Sequence, residues 1–358
     1  MRIRKAKKFY LIVVLVFCIA AFFPASTALR PILAYQGHIY FEADMAWSNL
    51  EKFAEYAPVL PNTSSSEAFL VYSKNIFQDL NWTVTIQNWT HPNGAKLHNL
   101  IASSPTVTDQ LILLGAHFDA RINADQDPIP SNRGSPVPGI NDGGSGVAIL
   151  LELARVLELR NNIGVWIVLF DAEDQGGIPG WYGGISGWCI GSSHFVNSLN
   201  ASMIEKLKLA VILDIVGGKD LVLRKEASST QFYVDKIWSC ADYLGFAGVF
   251  LNQRGSSVID DHLPFLNRGI PAVDIIQQAS LDGYTFFKWW HTTNDTLENC
   301  EKSSLYSVGR TLELFIENID SSSLIMPSDN LLIISAVSVS IITGVILVAV
   351  KLRPKKTN

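Results

Sequence analysis

The chain has 358 residues, of which 48% are hydrophobic and 17% charged, with a formal net charge of −5. That balance excludes a disordered or low-complexity protein and allows a sizeable buried core. Nine Lys and Arg lie in the two flanks, at 2–8 and 351–356, so the part between carries −14, which argues against nucleic acid or anionic lipid as a partner.

Residues 1–29 combine a basic start (Arg2, Arg4, Lys5, Lys7, Lys8), an apolar run from Phe9 to Phe23 and small residues at 26–28. They read as a signal peptide or an uncleaved signal anchor, and either exports the large domain behind it. Within the exported part, 30–320, "SSEAFLVYSKNIFQDL" reads as an amphipathic helix, "WTVTIQNW" as an alternating strand and "QLILLGAHFDA" as a buried strand. Next come a helix in "GGSGVAILLELARVLEL" and buried strands in "IGVWIVLFDAE" and "LKLAVILDIVGG". "TQFYVDKIWSCADYLG" is a helix, "IPAVDIIQ" a fourth buried strand and "LYSVGRTLELFIENI" a last helix. Apolar runs alternating with helices predict an α/β sandwich, a mostly parallel sheet covered on both faces.

After a linker at 321–330, residues 331–350 carry no charge and would span roughly 30 Å as a helix, long enough for a transmembrane segment. The basic tail 351–358 then stays in the cytoplasm by the positive-inside rule. The expected location is the cell membrane, single-pass with the large domain outside, or two-pass if the leader is retained. Sequons at Asn62, Asn81, Asn88, Asn200 and Asn294 suit an exported glycoprotein. Beyond Cys18 in the leader, Cys189, Cys240 and Cys300 allow one disulfide at most, and no Cys-x-x-Cys suggests a thiolate metal site.

Ligands of such folds collect at the carboxyl ends of the strands. His117 and Asp119 follow the first buried run, Glu173 and Asp174 the second, and Asp214 lies in the third. Asp142 sits in "GINDGGSG" at a helix start, and His291 lies beyond the fourth run. Imidazole and carboxylate without thiolate form the ligand set of a hydrolytic Zn²⁺ site. Spacing of two on a strand lets Asp119 accept the free N–H of His117. Adjacent Glu173 and Asp174 must diverge, one to bind metal and the other to move protons, while Asp171 reads as a structural carboxylate.

"GAHFD", "GINDGGSGVAILLELAR", "FDAEDQG", "LDIVGG", "DDHLPFLNRGIP" and "WHTTNDTLEN", in this order, resemble the superfamily of zinc aminopeptidases and glutaminyl cyclases. The resemblance covers roughly residues 45–318. It implies a central mixed sheet of about eight strands flanked by helices, one or two zinc ions, and peptide or protein N-termini as substrate. Carried over, it puts the bridging carboxylate on Asp142, the catalytic glutamate on Glu173 and a zinc ligand on Asp174. The remaining ligands of two-metal members fall on His117, Asp214 and His291, while one-zinc cyclases use only the positions of Asp142, Asp174 and His291. It also makes Asp142–Gly143 a candidate cis peptide.

Two reactions remain open on this resemblance. In an aminopeptidase Glu173 would deprotonate the attacking water; in a cyclase it would relay the proton of the substrate α-amine to departing ammonia, leaving pyroglutamate. "IDDHLPFLNRGIP" resembles the cyclase segment in which Asp260 joins a proton network with Glu173 and Asp214. Trp290 matches the cyclase pocket tryptophan, Trp181 in "GGIPGWYGGISGWC" is a second pocket candidate, and "ARINADQDPIPSNRGSPVPGIND" resembles microbial cyclase-like proteins. Against this, "HTTNDT" is equally like the aminopeptidases, and Ile259 stands where animal cyclases have glutamine. Cyclisation is the favoured expectation. A non-catalytic binding ectodomain would have lost its ligands, and this chain keeps them all.

Overall fold

The apolar runs at 111–117, 164–170, 207–214 and 272–276 offer no polar face to solvent, so each must be covered on both sides. The computed structural model describes residues 40–319 except 107, 160–161 and 279–285, together with residue 324. Its strands are β1 (Thr83–Thr90), β2 (Lys96–Ser103), β3 (Leu111–His117), β4 (Gly164–Phe170), β5 (Leu207–Asp214), β6 (Leu223–Lys225), β7 (Phe250–Arg254) and β8 (Ala272–Ile276). Six form one sheet in the order β1-β2-β4-β3-β5-β8, with β4, β3, β5 and β8 parallel and β1 and β2 antiparallel.

The expected central sheet of about eight strands is thus corrected to six. β6 and β7 pair separately, because β6 has three residues and the end of β7 is polar and exposed, leaving little apolar surface to bury. β2 escapes sequence reading because it sits between β1 and β4 and its mixed burial gives no clean alternation.

The helices are α1 (Ala43–Ala54), α2 (Ser64–Asp79), α3 (Gly144–Val156), α4 (Ile190–Ser198), α5 (Ala201–Lys206), α6 (Gln231–Tyr243), α7 (His262–Asn267) and α8 (Lys302–Asn318). α3 crosses the sheet so closely that a Cβ on Gly146 would fall 2.4 Å from the Leu213 carbonyl oxygen, and α1 and α8 pack over α3. On the opposite face Phe195 and Val196 of α4 and Phe265 of α7 meet Leu113, Phe170 and Ile212. Burying each such side chain contributes roughly 1.5–3 kcal/mol. The result is the expected three layers, with the carboxyl ends of four parallel strands along one edge.

Glu313 of α8 ties down the start of the described chain, its carboxylate accepting the Tyr40 and Phe41 amides at 2.5 and 3.1 Å. Burial pushes its pKa up to about 7. An acid raised in the fold contributes stability that is complete below its unfolded pKa of about 4.3 and lost as pH rises through about 7. Glu313→Gln is therefore expected to flatten the fall in Tm between pH 5 and pH 8, read by thermal denaturation across that range; an unchanged slope would assign the fall to other groups.

Cys189, Cys240 and Cys300 are buried and free, so none forms the one disulfide the sequence allowed. The five sequon asparagines are exposed. The leader at 1–29, the apolar segment at 331–350, the tail at 351–358 and, except for Leu324, the linker lie outside the described residues. Among the described residues no helix is long and apolar enough to cross a membrane.

Candidate metal centre

β3 ends at His117, whose Nδ1 lies 3.0 Å from the main-chain oxygen of Asp119. Donation there leaves Nε2 as a lone pair, and it faces Asp142 Oδ1 at 3.1 Å and Asp214 Oδ1 at 3.2 Å. Three buried ligand atoms thus converge from β3, β5 and the start of α3. Asp142 is delivered by a turn at Gly143, whose φ of +84° suits glycine; a Cβ there would sit 2.7 Å from the His117 ring. Asp142–Gly143 is trans, since the one cis bond among the described residues is Ala57–Pro58.

A second group shares Asp142. His291 Nε2 lies 2.9 Å from Asp174 Oδ1 and 3.9 Å from Asp142 Oδ2, and all three residues are buried. Asp142 Oδ2 has no hydrogen-bond partner. One carboxylate therefore turns one oxygen to each imidazole, the placement expected of a ligand shared by two cations. Tetrahedral zinc with ligands about 2.1 Å away separates them by roughly 3.4 Å, close to the distances here, so the N/O donor set fits zinc.

Burial opposes charge on both imidazoles, but the surrounding carboxylates outweigh it, holding His117 well above its usual pKa and raising His291 to about 9. The same burial, with Asp142 alongside, pushes Asp214 up to about 7. Negative charge is concentrated beyond what the protein's own cations balance, which is what a metal site needs.

Asp119 departs from its expected role. Its carboxylate stands 3.6 Å from His117 Nδ1, while it accepts the amides of Glu173 and Asp174 at 2.8 and 3.3 Å and the Gln175 side chain at 2.9 Å. It shapes the turn after β4 that separates Glu173 from Asp174, and its carbonyl rather than its carboxylate serves His117. Asp171 is structural, its Oδ2 accepting the His98 amide at 2.9 Å.

Glu173 belongs to neither imidazole group; its carboxyl lies with Cys189, whose thiol donates to Oε1 at 3.3 Å, and with Asp261. Burial, then Asp261, Asp260 and Asp174, hold its pKa well above the carboxylate range despite His117 nearby. Behind it, Asp260, His262 and Asp274 bring ligand atoms within 4.8 Å of one another, and the His262 Nε2 stands 3.4 Å from Glu226. Each of these residues is no more than 2% exposed.

Trp290 stacks on His291 with ring centres 3.6 Å apart and lines a cavity of about 430 Å³ with Phe286, Phe287 and Trp289. Trp181 does not join it. Its ring stacks on His91 over the Leu97–Ala172–Ile190 cluster, and Trp188, seven residues on, stacks on His291 instead. Sequence reading misses Trp188, and also Asp295, whose two oxygens accept the amides of Asn141 and Asp142 at 2.8 and 3.1 Å. Asp295 stands inside "WHTTNDTLEN", so the segment is visible in the sequence but the residue's role is not.

Known proteins resemble this chain. The profile of Peptidase family M28 matches residues 99–316. The crystal structure of Tannerella forsythia glutaminyl cyclase superposes with a TM-score of 0.72 at 33% identity, covering 78% of this chain and 99% of that one. A leucine aminopeptidase precursor from Bacteroides thetaiotaomicron superposes at 0.71 with 32% identity, over 79% and 99% of the two chains. Aminopeptidase YwaD of Bacillus subtilis is 28% identical over 265 residues, 70% of this chain but only 52% of its own length.

Proposed function

Because the chain belongs to peptidase family M28, we propose that it is a zinc-dependent glutaminyl-peptide cyclotransferase acting on peptide or protein N-termini. The observation that carries this reading is the set of buried acids behind Glu173: Asp260, Asp261 and Asp274, joined to Asp214. Cyclisation adds no water; it moves one proton from the substrate's α-amine to the departing amide nitrogen. Carboxyl groups that share protons away from solvent suit that transfer. The likeness to the Tannerella forsythia glutaminyl cyclase over nearly its whole length supports the same reading.

Asp142, Asp174 and His291 would hold a zinc ion. When bound, zinc supplies Lewis-acid polarisation of the γ-carboxamide carbonyl. Glu173, raised in pKa and kept off both imidazole groups, takes the amine proton and returns it to the nitrogen as ammonia leaves. Asp214, with Asp260 beside it, can hold that proton, and Trp290 and Trp188 flank His291 and limit water there. The signal and membrane segments read from the sequence support a location of this chemistry outside the cell.

A second reading has its own observation. The His117–Asp142–Asp214 group is complete, so the chain could hold two ions around Asp142, as suits an aminopeptidase activating water. Incubating the zinc-loaded full chain with a Gln-initiated peptide, and following it by mass spectrometry, decides between the two. Loss of ammonia from the intact peptide is the expected result; release of the free first residue would replace cyclase by aminopeptidase.

A further inference from the structure

The loop at 121–126 lies outside both ligand groups yet grips two members of the second, Asp174 and His291. Arg121 is 4% exposed and places four hydrogen bonds: Nε and Nη2 to Asp125 at 3.0 and 2.8 Å, Nη1 to the Asp174 carbonyl at 2.9 Å, and Nη2 to the Gly176 carbonyl at 3.0 Å. Its guanidinium also lies 5.0 Å over Trp188, whose ring stacks on His291 at 5.8 Å and 16°. Asp125 Oδ1 faces His291 Nδ1 at 3.4 Å, and the Gln126 amide donates to the His291 carbonyl at 3.1 Å. His291 has φ +57°, a left-handed conformation that a side chain disfavours and that outside contacts must maintain.

We infer that Arg121 and Asp125 are positioning residues that set His291 and Asp174 as a pair for the metal. Asp125 Oδ1 stands 3.4 Å from His291 Nδ1, so its negative charge favours the proton on that nitrogen and leaves Nε2 to face Asp174 Oδ1. Arg121 holds Asp125 with one edge of its fork and the Asp174 backbone with the other, so both ligands are referred to one rigid plane. Lysine cannot do this, because a point charge on a flexible stem lacks the planar fork.

The inference rests on the zinc reading above, and its test does not depend on the reaction. Zinc dissociation constants of the full chain, Asp125→Asn and Arg121→Lys would be measured by competition with a chromophoric chelator, alongside the Tm of each protein without metal. Binding about 10- to 100-fold weaker in Asp125→Asn, with its metal-free Tm unchanged, is expected. Affinity within twofold of wild type would overturn the inference, and so would a lowered metal-free Tm with unaltered affinity. Asp125 is 41% exposed, so its variant decides the matter even if Arg121→Lys fails to fold. Zinc binding by wild type without ammonia release would sink the cyclase reading and leave this inference intact.

Discussion

Glu173→Gln is expected to lower turnover by about 10² to 10⁴ while leaving the zinc content unchanged, the range set by loss of one general acid–base group. The substitution keeps the shape of the side chain and an oxygen for the Cys189 thiol, and it removes only the ability to carry a proton. The carboxyl lies outside both imidazole groups, so the metal has no reason to leave. Either reaction, cyclisation or hydrolysis, needs this proton carrier, and the variant therefore tests the enzyme reading itself. Turnover by mass spectrometry, with zinc counted on the same sample, gives the answer. If more than a tenth of the activity survived, the proton would have to travel by Asp260 or Asp261.

The parts of this site that sequence makes visible are those that chain direction controls. A parallel strand must end somewhere, and in β3, β4 and β5 the residue at or just beyond the end carries the chemistry: His117, Glu173 with Asp174, and Asp214. Buried apolar runs locate those ends almost to the residue. Contacts that bridge distant segments leave no such trace. Asp295 holds the Asp142 backbone from 153 positions away, and Arg121 reaches Asp174 across 53. Trp181 and Trp188 differ only in the path of a loop whose Gly183, Gly184 and Gly187 all take positive φ, so seven residues decide which ring meets His291. His262 is hidden in a segment that stands out for its acids, although its imidazole lies 3.4 Å from Glu226 and 3.5 Å from Asp274.

Asp142→Asn should have the larger effect on metal, because each of its two oxygens faces a different imidazole. Loss of the shared ligand weakens both groups together, and a fall in zinc affinity of at least about 100-fold is expected, beyond that of losing an outer-shell partner. Ligand stabilisation follows RT ln(1 + [L]/Kd), so at zinc 1,000 times the wild-type Kd it drops from about 4.1 to about 1.4 kcal/mol. For a domain of this size the zinc-induced rise in Tm shrinks by roughly 5–10 °C. Asp214→Asn is the informative companion, since Asp214 belongs to one group only. If the protein holds two ions, Asp214→Asn gives up one equivalent and keeps the other. If it holds one, at Asp142, Asp174 and His291, Asp214→Asn binds zinc like wild type and loses activity only through the proton network. An Asp142→Asn protein that bound zinc normally would contradict both arrangements, because neither leaves the metal a path around that carboxylate.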